Sequence, residues 1–329
     1  MRAESNQKRF VSLAPMMEVT DRHFRYFTRL LSKHIINYTE MITCDALLYG
    51  PRDRLLEYDA FEQPIAVQLG GSDPNKLKEC AQICEQVGYN EINLNIGCPS
   101  DRVQDGKIGV CLMLEPERVA TCVESMINAV KIPVTVKTRI GVDNHDDYGF
   151  LKNFIQLQVD AGCKMFIIHA RKAWLKGLSP KKNRSVPPLD YERVYELKAD
   201  FPDCKFELNG GLLNFDMIQS AIDHVGSAMV GRAFWDNPWI FHKIDSVFYG
   251  DIDPVSNRVE LLERYIPYME KNVERGVSIN RLSPPLLGLY HQVKGSKKWR
   301  QFISEHRHFY DRYFDDMLDL CVELEGGLS

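Results

Sequence analysis

The sequence predicts an α/β fold: a (β/α)8 barrel followed by a small all-helical C-terminal domain. Three observations predict it. Eight short apolar strand patterns alternate with helical patterns across about residues 10–243, as parallel β/α units require. No G-x-G-x-x-G follows any of these strands, which leaves an open dinucleotide-binding sheet with little support. After Phe241 the strand signal ends and only helical spacing continues. The expected units are residues 1–247 for the barrel and 248–329 for the helices.

The elements follow in order. Residues 10–15 open the barrel as a short apolar strand, and 16–19 form its loop. Thr20 is the expected N-cap of the first helix, with Asp21 in its first turn and Phe24, Phe27, Leu30 and Leu31 as its apolar stripe. Residues 38–41 and 65–69 are the second and third strands, the latter ending in Gly70-Gly71. Ser72-Asp73-Pro74 starts a helix with Leu77, Cys80, Ala81, Cys84 and Val87 at helical spacing. The fourth strand, Glu91-Ile92-Asn93-Leu94-Asn95, stops at Gly97-Cys98-Pro99, a turn signal. The loop beyond it carries Gly106 and Gly109 and is expected to move. Pro116 opens the next helix, with Val119, Val123, Met126, Ile127 and Val130 inward. Strands five to eight fall at 133–138, 165–169, 205–209 and 227–231, and the helix after the fifth closes at Gly162. In the tail, Val259, Leu262, Ile266, Met269 and Val273 mark a helix expected to kink or break at Pro267. Further helical spacing covers 286–293, 299–310 and 315–324.

Composition narrows the class. With 329 residues, 44% of them hydrophobic, the chain buries a substantial core. No apolar run approaches membrane-spanning length, and residues 1–9 lack a signal-peptide apolar region, so a cytoplasmic protein is expected. Nine cysteines, without a C-x-x-C pair, fit reduced thiols better than a disulfide framework or zinc site. The net charge is −4, so any nucleic-acid binding rests on local patches.

Polar residues recur at the strand ends. Gln68, Asn95, Cys98, Lys137, His169, Asn209 and Gly231-Arg232 all fall at or just after predicted C-terminal ends, which converge on one face of a barrel. Any one of them is explained as a satisfied structural group; the whole set in register reads as a site. Cys98 is either a small buried hydrophobe or a rigidly presented thiol for acid–base or nucleophilic chemistry. Asn209-Gly210-Gly211 and Gly231-Arg232 occupy the common phosphate position of this fold. Lys137 either sets a positive charge beside an anionic cofactor ring or closes a salt bridge in the barrel mouth. His169 suits a phosphate better than a metal, since no second ligand stands at the right spacing. Basic residues cluster twice. Lys172, Lys176, Lys181, Lys182 and Arg184 lie on the long loop after strand six, and Lys294, Lys297, Lys298 and Arg300, with Trp299 among them, lie in the tail. Each cluster is either an RNA contact or a solvated surface.

These residues resemble the tRNA-dihydrouridine synthases. The resemblance is carried by Ala14-Pro15-Met16, Gln68-Leu69-Gly70-Gly71, Asn93-Leu94-Asn95-Ile96-Gly97-Cys98-Pro99, Val136-Lys137-Thr138-Arg139, His169-Ala170-Arg171, Asn209-Gly210-Gly211 and Val230-Gly231-Arg232. Thr20-Asp21-Arg22-His23-Phe24-Arg25-Tyr26, His169-Ala170-Arg171-Lys172-Ala173-Trp174-Leu175 and Gly177-Leu178-Ser179-Pro180-Lys181-Lys182-Asn183-Arg184 are similar to the bacterial A-type subfamily. The resemblance implies a TIM barrel with a helical tRNA-binding domain, an oxidoreductase with FMN as cofactor and NADPH as reductant. Its implied substrate is tRNA, not DNA, at D-loop uridines 20 and 20a. Hydride from the flavin goes to uracil C6 while Cys98 protonates C5. It places Pro15, Met16, Met17 and Gln68 along the flavin, Lys137 and His169 in contact with it, and Asn209, Gly210, Gly211, Gly231 and Arg232 at its phosphate. Asn95 falls beside the target base, and Lys181, Arg184, Lys297 and Arg300 at tRNA-contacting positions.

Two segments depart from the family pattern. Lys107-Ile108-Gly109-Val110-Cys111 stands where relatives usually show Phe-Gly-Ala-Cys, and Lys297 stands where an arginine is common. Two other functions are consistent with parts of the sequence. A barrel acting on free pyrimidines or small enones would not need the tail, and turnover would survive trimming residues 250–329. A tRNA-binding module with an inert barrel would not need Cys98. A monomer is the default expectation, no metal site is expected, and no NADPH fingerprint is present.

Overall fold

The structure is a computed structural model that describes residues 9–100, 106–305 and 312–328. Eight parallel strands form its centre: β1 (Val11–Leu13), β2 (Asn37–Thr43), β3 (Ile65–Gly70), β4 (Glu91–Ile96), β5 (Val134–Arg139), β6 (Met165–His169), β7 (Lys205–Asn209) and β8 (Ala228–Val230). Each pairs with its successor from β2 onward, and β8 pairs with β1. A single parallel bridge, Ser12 to Ile36, closes the ring, with the Leu13 N–H donating to the Ile36 carbonyl at 2.9 Å. Helices follow the strands in turn: α1 (Arg22–Leu31), α2 (Cys44–Tyr49), α3 (Pro74–Val87), α4 (Pro116–Ala129), α5 (Tyr148–Asp160), α6 (Glu192–Asp200), α7 (Phe215–Val225) and the short α8 (Arg232–Asp236). This is the (β/α)8 architecture expected from the strand count.

Strand β4 shows how alternation places the site. Ile92, Leu94 and Ile96 point outward into the layer between sheet and helices. Glu91, Asn93 and Asn95 point the other way and are also buried, so the barrel interior is polar. At its base the Arg9 guanidinium pairs with Glu91 and, at 2.6 Å, with Glu207. Tyr38 donates to Glu91, Thr135 donates to Glu91 at 2.7 Å, and Ser12 donates to Glu207 at 2.6 Å. Burial works against the charge on Arg9, but Glu207 and Glu91 outweigh it and hold its pKa above the ordinary range. Above this network sit Ala14, Ala66, Ile167 and Met229, a small apolar plug.

Local side chains set the helix caps. Asp21, not Thr20, caps α1: its Oδ1 accepts from the His23 and Phe24 N–H groups, both at 3.0 Å. The Thr20 hydroxyl instead accepts from the Met16 N–H at 3.0 Å and pins the loop after β1. Asp73 caps α3 with Pro74 in the first turn.

The tail forms α9 (Arg258–Glu274), α10 (Ser296–Glu305) and α11 (Tyr313–Gly326) around a second core. Pro267 lies inside α9 without breaking it. Burial of Leu261, Leu262, Tyr265, Tyr268 and Met269 outweighs the one missing backbone bond. The expected helix at 286–293 does not form; only Pro284–Leu286 makes a 3-10 turn, followed by turns. Gly288 lies there against α8, where a Cβ would come within 2.6 Å of the Asp236 carbonyl oxygen. The helix expected at 299–310 starts earlier and is described to Glu305; residues 306–310 lie outside the described set.

The two cores meet on α1. Phe24 belongs to the barrel core, whereas Phe27, Leu30 and Leu31 belong to the tail core. Among the described residues no helix is long and apolar enough to cross a membrane.

Candidate active site

A cavity of about 1470 Å³ opens at the C-terminal ends of the strands. Pro15, Met16 and Met17 form one wall, Gln68, Asn95, Cys98, Lys137 and His169 rise from the floor, and Asn209, Gly210, Gly211, Gly231 and Arg232 close the side after β7 and β8. Arg184 of the long basic loop reaches the rim. Lys181 is exposed beside the rim without lining the cavity, and Lys297 and Arg300 are exposed on α10, outside it.

Cys98 is half-buried, with Sγ 3.5 Å from the Ser100 hydroxyl. Its position is set by Asn95, whose Oδ1 accepts from both the Gly97 and Cys98 N–H groups at 3.0 Å. The Asn95 amide donates to Gln68 Oε1 at 2.8 Å, and Gln68 donates to Asn93 Oδ1 at 2.8 Å. Asn93 donates in turn to Thr135 at 2.8 Å, which joins this chain to the base network. Both ends of the Asn95 amide therefore hold the turn that presents the thiol. From below, the Val110 N–H donates to the Cys98 carbonyl at 3.0 Å, so the variant segment Ile108-Gly109-Val110 braces the same turn. The loop expected to move lies partly at 101–105, outside the described residues.

Among the described residues Lys137 makes no salt bridge. Its Nζ donates to Asn209 Oδ1 at 3.0 Å, and Asn209 donates to the Met229 carbonyl at 2.8 Å. Removal from water, then Arg139, lowers the Lys137 pKa to about 7. The same desolvation, together with Arg139, Lys137, Arg171 and Arg232, pushes His169 well below its usual value and keeps it neutral. Burial, then Arg232, lowers both Arg171 and Arg184. Among the described residues no carboxylate lies in salt-bridge contact with Lys137, Arg139, His169, Arg171, Arg184 or Arg232. Lys137, Arg139, Arg184 and Arg232 line the cavity together, and so many basic groups without a carboxylate partner among the described residues make an anion site.

Gly210 and Gly211 have φ of +111° and +73°. A Cβ on Gly210 would meet the His169 ring at 2.6 Å, and one on Gly211 would meet Leu189 at 2.5 Å. These glycines are thus required by the turn and by His169 itself.

Some expected contacts are altered. Lys172 pairs with Asp146 at 2.6 Å and stacks over Trp174, and Lys298 pairs with Glu323 at 2.6 Å, so neither contributes free charge. Trp299 is fully buried, its indole N–H donating to the Leu286 carbonyl at 2.7 Å. It is core, while its neighbours Lys297, Lys298 and Arg300 are exposed.

Other residues were not singled out from sequence. Arg139 ends β5 and lines the cavity; extending the strand by one more alternating position beyond Lys137 reveals it. Arg22 and Arg54 line the cavity near α1, and Arg281 lines it from the tail, so both units build its walls. No sequence signal brings these three together.

The dihydrouridine synthase family profile matches residues 12–319. A Synechocystis sp. protein named tRNA-dihydrouridine(20/20a) synthase is 51% identical over 295 residues, 90% of this chain and 88% of its own. Proteins of the same name from Shewanella oneidensis and Escherichia coli (strain K12) are each 48% identical, over 92% and 90% of this chain and 90% and 86% of theirs. With the family match spanning barrel and tail alike, the chain belongs to the dihydrouridine synthases.

Proposed function

We propose that this protein is a tRNA-dihydrouridine synthase, an oxidoreductase that uses FMN, takes electrons from NADPH and reduces D-loop uridines 20 and 20a of tRNA. One observation carries the reading: a cysteine and a set of basic side chains without carboxylate partners among the described residues line a single cavity of about 1470 Å³. Common small-molecule pockets hold roughly 300–1,000 Å³, so this one has room for a cofactor and an extruded base together.

The residues fit FMN. Arg232, which has no carboxylate partner among the described residues, lines the same cavity as the Gly210-Gly211 turn, where a phosphate needs charge and close backbone. Pro15, Met16, Met17 and Gln68 would line the ring, with Lys137 and His169 against it. When bound and reduced, the flavin supplies a hydride to uracil C6. The Cys98 thiol gives C5 its proton, and the sulfur left behind faces Arg139, Lys137 and Arg184. Asn95 fixes the turn that aims the thiol, beside the target base. Lys137, held by Asn209, stabilises negative charge over the barrel mouth. Solvent returns the proton to Cys98, and NADPH would supply the hydride that reduces the bound cofactor before each turnover, becoming NADP⁺.

The same reading makes residues 1–247 the catalytic unit and 248–329 the tRNA-binding unit. In its support, Ile244 is the last buried residue of the barrel core and Val255 the first of the tail core in that segment. Lys181 and Arg184 on one side, and Lys297 and Arg300 on the other, are assigned to tRNA phosphates. We assign a cytoplasmic monomer; the nine unlinked cysteines are consistent with a reducing compartment.

The test is anaerobic. The flavin-loaded protein is reduced with NADPH, and its absorbance is followed as unmodified tRNA is added. Rapid reoxidation by tRNA but not by free uridine is expected. Equal reoxidation by free pyrimidines would transfer the reading to a small-molecule reductase.

A further inference from the structure

Resting on that reading, we propose that Arg139 is a positioning residue that couples RNA docking on the long basic loop to the placement of the Cys98 thiol. Its guanidinium is buried, with 3% of the residue exposed, and bonds three backbone carbonyls, one on the cysteine turn and two on the long basic loop. Nε donates to Gly97, the residue before Cys98, at 2.8 Å. Nη1 donates to Lys172 at 3.1 Å and to Asn183 at 3.0 Å. Asn183 precedes Arg184 in the basic turn Lys182–Arg184.

The loop is built to pass a displacement on. Asn183 is fully buried and bonds its own loop three times: Oδ1 accepts from the Trp174 N–H at 2.8 Å, and Nδ2 donates to the Trp174 and Leu178 carbonyls at 2.9 and 3.1 Å. The Arg184 carbonyl accepts from Arg232 at 3.0 Å, which ties the turn to the cavity's other side. A phosphate that pulls on Lys181 or Arg184 therefore pulls on a braced body, and Arg139 is its link to the cysteine turn. Arginine is needed because one rigid fork reaches carbonyls in different directions, which an ammonium on a flexible stem does not.

The setting argues against a purely stabilising brace. Arg139 has no carboxylate contact among the described residues, and burial lowers its pKa to about 10. A buried cation held only by carbonyls, amid other cations, costs stability. Such a group is retained more readily for function than for folding.

The experiment is a double-mutant cycle on holoenzyme, read by single-turnover reoxidation of NADPH-reduced flavin at saturating tRNA. Reoxidation of the wild type by tRNA comes first; if it fails, the parent reading fails. Arg139→Lys is expected to keep flavin content and NADPH reduction within about twofold and to slow saturated reoxidation by about tenfold or more. Arg184→Ala is expected to weaken tRNA binding and also to slow the saturated step by about threefold. In the Arg139→Lys background, Arg184→Ala should still weaken binding but no longer change the saturated rate. Rate effects that simply multiply, or parallel loss of NADPH reduction in Arg139→Lys, would overturn the coupling. Should Arg139→Lys not fold, Asn183→Ala carries the same cycle, because it loosens the loop while leaving the Arg139–Gly97 bond.

Discussion

The two ends of the barrel interior are both polar and buried, yet they are built on opposite electrostatic plans. At the base, Arg9 sits between Glu91 and Glu207, and Tyr38, Ser12 and Thr135 satisfy the remaining carboxylate oxygens. At the mouth, Lys137 meets the Asn209 amide and Arg139 meets carbonyls instead, and desolvation lowers the pKa of both and of His169. The base answers its own charges, whereas the mouth leaves its charges to be answered by a ligand. Burial alone therefore does not separate structure from function here; the presence of a partner does.

Breaking the base should give the largest effect. Glu207→Ala leaves Arg9 with one carboxylate and Ser12 without its acceptor. A loss of roughly 3–5 kcal/mol in urea unfolding is expected. A loss below about 1 kcal/mol would show that the base is not the stabilising end. At the mouth, Cys98→Ala should leave stability and NADPH reduction of the flavin nearly unchanged. It should slow tRNA reduction by at least about a hundredfold; normal tRNA turnover would remove Cys98 as the proton donor.

Lys137 sharpens the contrast through pH. Its folded pKa of about 7 lies below the ordinary lysine value of about 10.4. Between those values the unfolded chain binds the extra proton, so the lysine's cost is full below pH 7 and fades as pH rises. Lys137→Met should therefore stabilise the flavin-free protein by roughly 1–2 kcal/mol at pH 6, after the lost Asn209 bond, and by less at pH 9. Denaturation midpoints at the two pH values decide it, and an equal gain at both would reject the depressed lysine. The smallest effect belongs to the surface. Lys297→Ala with Arg300→Ala should shift stability by no more than about 0.5 kcal/mol. It should weaken tRNA binding and lower the salt slope by about 1 to 2. Unchanged affinity would take α10 out of the RNA site.

The sequence carried the barrel well because each β/α unit writes its own local pattern. All eight strands fell where alternation and turn residues placed them, and the strand-end polar residues share one cavity. What stayed illegible depends on distance across the chain. Arg9 meets Glu207 only once the ring closes, and Arg281 reaches the cavity only through the tail's packing. Trp299 misled because its basic neighbours suggested a surface, while its own indole serves the tail core. Nor does the sequence show that the Asn95 amide holds the turn around Cys98, a role that needs the folded loop.

Helix α1 has a consequence for anyone wishing to exchange parts between relatives. It has no solvent face in the ordinary sense: Phe24 looks toward the barrel, and Phe27, Leu30 and Leu31 look into the tail. Cutting the chain near residue 250 would strip those three side chains and invite aggregation, so a truncated barrel is a poor control for tail-independent turnover. A chimera that swaps tails to redirect substrate choice must carry the matching outer residues of α1 with the graft. The inheritable module is the tail plus one helix that lies more than two hundred residues upstream of it.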